Sequence, residues 1–396
     1  MNATTMPHPT DPVQPKGPSR VIFVRQRFSP FGGGELILDR TMSALARRGV
    51  QIALVARAWS GRDDVEFIPC DPPRFPRLLR ERRFAEAACA RLAGERDAIV
   101  QAHERIPCCD VFRAGDGVHA AFLAARARGM GPLSRAAQAL SPFHRSILAL
   151  ERALFASPRL KAVIANSTMV ADDIVRHYAY PRERIHLIPN GIDLDRFSPA
   201  ARAKHRVEVR LRHGVMPDRP VALFLGSGYG RKGLKSAIGA MARSEMRAQL
   251  WVIGHDRRPT TYTAQAVRAG LAGRFRLIGP VRDPLPYYAA ADILVLPAVY
   301  DPFPSTVIEA LACGLPVVTS TGCGARDAAA RLDPALVRDA LDVEGLAVAV
   351  DRAFALAAKP ATVDATRAIA SAYGVEQMVE RLLALYETLG HGQRRA

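Results

Sequence analysis

Val21-Ile22-Phe23-Val24, a turn through Gly32-Gly33-Gly34, and a helical pattern over 35–48 halted by Gly49 decide the fold. Four consecutive apolar residues, three of them β-branched, read as a strand buried on both faces. Gly49 is a helix stop, and a second apolar strand follows over 51–57. Strand, glycine turn, helix and strand in that order make one βαβ unit.

The alternation continues outward from this unit. Apolar runs at 98–102 and 162–165 read as further strands, the latter ending in Asn166-Ser167, a cap for a helix that begins near Thr168. A second series opens at Val221-Ala222-Leu223-Phe224-Leu225 and repeats at 250–253, 275–278, 293–296 and 316–319. Strands alternating with helical stretches predict an α/β protein with two doubly wound, Rossmann-like domains. The expected boundaries are a disordered, polar and proline-rich leader over 1–19, a first domain over 20–190, a linker over 191–219 and a second domain over 220–374. Met378, Leu382, Leu383 and Leu385 recur at helical spacing, so 375–396 is expected to form a terminal helix that packs back on the first domain.

Composition narrows the function. The 396 residues include 49% hydrophobic and 23% charged, ordinary for a globular chain. No apolar run approaches the roughly 18 residues of a membrane span, and the leader lacks the apolar stretch of a secretory signal. Fifty-five Lys and Arg against 38 Asp and Glu give a net charge of +17, a field that attracts nucleic acid, anionic lipid or phosphorylated substrates. Six cysteines at 70, 89, 108, 109, 313 and 323 show no Cys-x-x-Cys pair, and reduced cytoplasmic thiols are expected.

In open parallel sheets ligands bind beyond the carboxyl ends of the strands, so the loops there carry the chemistry. Gly32-Gly33-Gly34 either brings backbone N–H groups to an anion at a helix N-terminus or is a tight turn without a ligand. It lacks the G-x-G-x-x-G spacing of a nicotinamide site. In Gly226-Ser227-Gly228-Tyr229-Gly230-Arg231-Lys232-Gly233 a guanidinium fork and an ammonium stand beside glycines that permit close approach, which suits a diphosphate; the alternative is a solvated loop. Asp301 and Glu309 bracket a turn and the start of a helix near Ser305, whose free N–H groups suit phosphate while carboxylates accept from sugar and ribose hydroxyls. A nucleotide-sugar fits that set. Asp193-Leu194-Asp195 spells D-x-D but falls in the linker, and is assigned to structure; no metal site is expected.

At these residues the chain resembles the GT-B glycosyltransferases of family 4, and within them the lipopolysaccharide core glucosyltransferases that act on inner-core heptose. The matching motifs are Gly226 to Gly233, Ala290-Ala291-Asp292, Glu309-Ala310, Gly314-Leu315-Pro316-Val317, Cys323-Gly324, Phe31-Gly32-Gly33 and 110–116, spread over residues 20–390. The resemblance implies a GT-B fold, an acceptor-side first domain and a nucleotide-sugar-binding second domain facing it across a cleft. It implies retaining transfer of a hexose, glucose from UDP-glucose, without a metal, onto a lipopolysaccharide core acceptor, a lipid-linked phosphorylated saccharide at the cytoplasmic face of the inner membrane. Arg231 and Lys232 would hold the diphosphate, Glu309 the ribose, and Asp301 the hexose. Phe303 and the amides of Ser305 and Thr306 would complete the donor site, faced by Gly32 and Gly33. Asp116 would lie near the reacting sugar, with His119 as a further candidate, although His119 and His103 read equally well as structural histidines. Asp301 departs from the family's usual glutamate by one methylene.

The stretch 117–150 carries Arg126, Arg128, Arg135 and Arg145 and no acidic residue over its first 34 positions, interleaved with apolar side chains. It reads either as a surface for an anionic membrane or as a core-packed helix pair with a basic outer side. Arg74, Arg77, Arg80, Arg82 and Arg83 offer the same chemistry. The alternatives are another hexosyl- or heptosyltransferase of cell-surface polysaccharide synthesis, or a non-catalytic basic protein binding RNA or other anions; no RNA-binding motif supports the latter, and no nucleic acid partner is expected.

Overall fold

This computed structural model describes residues 19–26, 33–59 and 61–393, and within them the apolar runs form two separate parallel sheets. The first contains β1 (Arg20–Val24), β2 (Gln51–Ala56), β3 (Val65–Pro69), β4 (Ile99–Ala102), β5 (Val111–Arg113), β6 (Ala162–Ala165) and β7 (Ile185–Leu187) in the order β3-β2-β1-β4-β5-β6-β7. The second contains β8 (Val221–Leu225), β9 (Gln249–Ile253), β10 (Phe275–Gly279), β11 (Ile293–Leu296), β12 (Val317–Ser320) and β13 (Val337–Arg338) in the order β10-β9-β8-β11-β12-β13. Helices cover both faces, which is why the central strands are apolar without alternation: Val21 to Val24 and Ile293 to Leu296 are completely buried. The strand order reverses between β1 and β4 and again between β8 and β11. Each reversal opens a crevice beyond the carboxyl ends of the two strands. Two Rossmann-like domains facing a cleft make this the GT-B fold.

The chain crosses between the sheets twice, side by side. Ile192 N donates to Tyr373 O at 2.8 Å, and a Cβ on Gly191 would lie 2.7 Å from Val375 Cα, so the close approach of the two crossings needs glycine there. The terminal helix Val375–Gln393 then lies on the first sheet. Met378, Val379, Leu382 and Tyr386 join a core with β1, β2 and the helix Gly33–Ala46, and Tyr386 donates to Gln101 at 2.7 Å.

Three expectations need correction. The stretch 191–219 is not a free linker, because the helix Ala200–Arg212 packs against the second domain. Arg202, Arg206 and Arg210 share one face at i, i+4 spacing and converge on Asp292. Arg210, 1% exposed, meets Asp292 at 2.8 Å, Arg206 meets it at 2.6 Å, and the carboxylate also accepts from Val221 N at 2.9 Å. The charged stretch expected to be a linker thus carries a partly buried ion cluster around one carboxylate.

The second correction concerns the thiols. Cys89, on the helix Arg80–Arg91, and Cys108, after β4, form a disulfide, while Cys70, Cys109, Cys313 and Cys323 are free and buried.

The third concerns 117–150, which forms three helices rather than a packed pair. His119–Ala127 and Pro142–Phe155 bury residues, but Pro132–Leu140 buries none and leaves Leu133 88% and Leu140 72% exposed. Among the described residues no helix is long and apolar enough to cross a membrane.

Candidate functional site

The second sheet's crevice assembles the basic loop. After β8 the chain turns through Gly226 and Gly228 into a single helical turn, Tyr229–Lys232, where a loop was expected. Tyr229 fixes that turn: its N–H donates to Asp256 and its hydroxyl to Gly254 O, both at 2.8 Å. Gly233 follows at φ +81°, where a Cβ would lie 1.9 Å from Pro297 O. This glycine therefore seats the turn directly against the loop after β11.

That loop carries Asp301. Its N–H donates to Gly322 O at 2.9 Å and its carbonyl accepts from Gly324 N at 2.8 Å, so the backbone is held at both sides. The carboxylate, 5% exposed, pairs with Arg231 at 3.1 Å and with Lys232. Two cations on one carboxylate leave an excess positive charge at the crevice. The helix Ser305–Ala312 begins just beyond, with Pro304 before it offering no capping side chain, so its first N–H groups, at the half-buried Ser305 and Thr306, face no cap.

Glu309 lies one turn deeper and accepts a hydrogen bond from Tyr288 at 2.7 Å. Burial raises its carboxyl above the ordinary range, opposed by the Tyr288 hydrogen bond and by the charges of Arg40, Arg196 and Lys232. Arg40 belongs to the helix Gly33–Ala46, which places the start of the first domain opposite Glu309. Gly33 opens that helix, while Gly32 and Phe31 lie outside the described residues. The Phe303 ring does not reach the cleft: it packs in the second domain's core against Tyr373, leaving only its backbone for a ligand.

A cavity of about 410 Å³ between the domains is lined by Asp116, His119 and Arg105 from the first and Arg231, Asp301 and Tyr300 from the second. Four of the five residues expected to take part in the reaction thus meet at one space, and the fifth, Lys232, is joined to it through Asp301. Asp116 is 65% exposed there, 3.9 Å from Arg25. His119 Nε2 stands 3.1 Å from His144 Nδ1, and its backbone N–H donates to the buried Glu151 at 2.7 Å. Burial, then the charge of Arg105, pushes the His119 imidazole down to about 4, so it is neutral at pH 7. His103, just after β4, is half-buried, and desolvation, then the charges of Arg25 and Arg113, push its imidazole well below the ordinary range.

Sequence reading missed four contributors. Tyr288 orients Glu309. Tyr300 ties the domains, accepting from Val118 N at 3.0 Å and donating to Asp173 at 3.2 Å. Arg105 binds Glu151 at 2.9 Å, and Glu104 accepts from Gln26 N at 2.9 Å. Glu104 and Arg105 follow β4 directly, and that position beyond a strand end was the available signal.

Glu104 also yields a pH prediction. Burial, only partly offset by Arg25 and the Gln26 N–H, pushes its carboxyl from 4.5 up to about 7, with Asp116 and Glu81 adding to the rise. The folded state keeps a proton that the unfolded chain releases, so this group's contribution to stability is flat below pH 4.5 and falls as pH rises to 7. Replacing it by Glu104→Gln is expected to remove up to about 3 kcal/mol of that loss. Urea unfolding of both chains between pH 5 and 7 checks this, and parallel stability curves would refute it.

The sequence and fold have relatives. Residues 31–196 match the family model described as Glycosyltransferase Family 4, and residues 219–355 the model described as Glycosyl transferases group 1. The chain is 28% identical over 320 residues to the lipopolysaccharide glucosyltransferase WaaG of Escherichia coli (strain K12), covering 77% of this chain and 81% of that protein. It is 27% identical to D-inositol 3-phosphate glycosyltransferase 1 of Catenulispora acidiphila, covering 92% of each. The crystal structure of WaaG, a glycosyltransferase involved in lipopolysaccharide biosynthesis, superposes with a TM-score of 0.77 at 25% identity, covering 92% of this chain and 99% of that one.

Proposed function

We propose a specific reaction for this chain, which belongs to glycosyltransferase family 4 and is a hexosyltransferase that uses a nucleotide-sugar. It moves glucose from UDP-glucose, with retention of anomeric configuration, to a saccharide acceptor of cell-surface polysaccharide synthesis. The lipopolysaccharide core is the narrower form of this reading, supported by the likeness to WaaG. The likeness to an inositol-phosphate glycosyltransferase, which spans more of both chains, supports a small polyol phosphate as the competing acceptor.

The observation that carries the reaction is the single cavity between Asp116 and the Arg231–Asp301 pair. Departure of a nucleoside diphosphate from the anomeric carbon builds negative charge on the leaving oxygens. Arg231 and Lys232, held in place beforehand, stabilise that charge as it develops. Glu309 accepts from the ribose hydroxyls, and Asp301 exchanges part of its pairing with the two cations for a hydroxyl of the hexose. Asp116 lines the opposite wall and orients the incoming hydroxyl. The exposed Leu133 and Leu140, with Arg126, Arg135 and Arg145 nearby, support attachment of the acceptor side to an anionic membrane.

One experiment tests both parts. The purified chain is assayed by calorimetry against UDP-glucose, UDP-galactose, GDP-mannose and ADP-heptose. Transfer is then measured to heptose-bearing lipid A core on anionic or zwitterionic vesicles, and to inositol 3-phosphate. UDP-glucose binding that weakens at least tenfold in Glu309→Gln, with faster transfer on anionic vesicles, is expected. Binding of none of the four donors refutes the donor reading, and transfer to inositol phosphate alone refutes the envelope acceptor.

A further inference from the structure

We infer that the Cys89–Cys108 disulfide is a site of reversible thiol–disulfide exchange, reached through a groove of the first domain whose shape and charge suit a small anionic peptide thiol. Arg82, Ala85, Glu86 and Cys89 recur at helical spacing on Arg80–Arg91, and Arg145, Ala149, Arg152 and Ala153 do so on Pro142–Phe155; these two rows line the groove. The short side chains of the three alanines leave a space of about 920 Å³, within the range of small-ligand sites. Leu79, Pro107 and Leu148 add apolar wall. Among the described residues all that line the groove belong to the first domain, so it is separate from the cavity that reaches Arg231 and Asp301.

Both sulfur-bearing residues are half-buried, and of the two it is Cys89 that lines the groove. A thiolate entering there bonds to Cys89 Sγ as the Sγ–Sγ bond breaks, and the electron pair leaves on Cys108 Sγ, which takes a proton from water. A second thiolate then attacks the small-molecule sulfur of the mixed disulfide and releases Cys89. Two small thiols are oxidised to one disulfide while the protein disulfide is reduced to two thiols. The neighbouring thiols do not compete. Cys109 is completely buried, its Sγ donates to Ile106 O at 3.3 Å, and burial pushes its thiol far up; burial raises the Cys70 thiol as well.

Charge selects the thiol. Arg82, Arg145 and Arg152 stand exposed along the groove against one carboxylate, Glu86, which Arg82 already meets at 2.8 Å. Among the described residues no carboxylate pairs with Arg145 or Arg152. Two guanidiniums without a carboxylate, beside a reachable sulfur, concentrate a thiol that carries carboxylates of its own. A peptide thiol with one more carboxylate than ammonium, as in glutathione, matches them. The exchange also has a reach. Glu104 and Arg105 stand four and three positions before Cys108 on the loop after β4, and the disulfide ties that loop covalently to the helix Arg80–Arg91. Reduction leaves the loop to hydrogen bonds such as Ser157 Oγ to Pro107 O at 2.5 Å and Arg105 to Glu151 at 2.9 Å. Arg105 lines the cavity between the domains, so the redox state of the groove is felt at its wall.

The test uses the full chain, oxidised in air, with its disulfide counted by alkylation before and after denaturation. Reduction by glutathione, 2-mercaptoethanol and cysteamine, an anionic, a neutral and a cationic thiol, is followed by mass spectrometry for wild type and for the double variant Arg145→Gln, Arg152→Gln. Each rate is divided by that thiol's rate with hydroxyethyl disulfide, which removes differences in intrinsic nucleophilicity. Glutathione is expected to act about tenfold faster than cysteamine on wild type and within about threefold of it on the variant, while the rate with 2-mercaptoethanol is the same for both chains. The trapped mixed disulfide is expected on Cys89. Amide hydrogen exchange over 103–109 is expected to rise about tenfold on reduction, with β8 to β12 unchanged. Equal rates for the three thiols on wild type overturn the inference, as does a preference that survives in the variant. So does an adduct on Cys108, a pair that stays reduced in air, or exchange over 103–109 that ignores the redox state. None of these readouts involves a sugar, so they stand whether or not the transferase reading does.

Discussion

A Lys232→Ala chain is expected to lose about 10²–10³-fold in kcat/KM for transfer, the scale on which one preorganised donor to a developing charge is worth in a water-poor site. The lysine is 8% exposed, and its stem runs so close beneath Gly226 that a Cβ there would lie 3.0 Å from Lys232 Cε. The ammonium is therefore delivered to one place, against Asp301, before any donor arrives. Its loss harms the ground state too. Asp301 would keep only Arg231, whose side chain is far more open to solvent, and a buried carboxylate short of one partner costs about 1–3 kcal/mol. Lys232→Arg is not expected to rescue, because a planar guanidinium does not act as the same point charge. Steady-state kinetics with UDP-glucose and thermal unfolding of the same preparations check the two effects together. Activity within threefold of wild type would remove Lys232 from the diphosphate site.

The reason these residues were visible in advance is local. Arg231 and Lys232 follow a buried strand, and Asp301 and Ser305 follow another, so strand, turn and helix signals within a dozen residues locate them beyond the strand ends. Ser167 was legible for the same reason and does accept from Val170 N at 3.2 Å. What escaped was set by partners distant in sequence. β5, β7 and β13 have three residues or fewer, too short for any periodicity, and exist because a neighbouring strand pairs with them. Arg210 looks like any surface arginine until Asp292, 82 positions later, buries it. Cys89 and Cys108 meet only because the helix Arg80–Arg91 packs beside the loop after β4. The contact of Gln26 with Glu104 is of the same kind, since the two lie 78 positions apart and come together through the pairing of β1 with β4.

The seam between the domains makes the other large prediction. Gly324 stands where three segments meet: its N–H donates to Asp301 O at 2.8 Å, and a Cβ on it would fall 1.6 Å from Pro302 O and 2.5 Å from Ser167 Oγ. Ser167 belongs to the first domain, where it caps the helix Thr168–Tyr178, and its hydroxyl donates across the seam to Pro302 O at 2.8 Å. A methyl group at 324 cannot be absorbed by a rotamer change, because its nearest neighbour is backbone. Either the 301–302 segment moves, drawing Asp301 away from Arg231 and Lys232, or the Ser167 contact breaks and the cleft opens beside Tyr300, whose hydroxyl bridges Val118 and Asp173. Gly324→Ala is therefore expected to cost more than about 4 kcal/mol, in the range reserved for a few disruptive changes, and to abolish transfer in whatever fraction stays folded. Gly94→Ala, where nothing lies within 4 Å of the added carbon, serves as the control and is expected to be nearly neutral. The distinction from a simple cap defect comes from Ser167→Ala, expected to cost about 1 kcal/mol. If Gly324→Ala unfolds in urea no earlier than Ser167→Ala and still transfers sugar, the seam does not hold Asp301 in place.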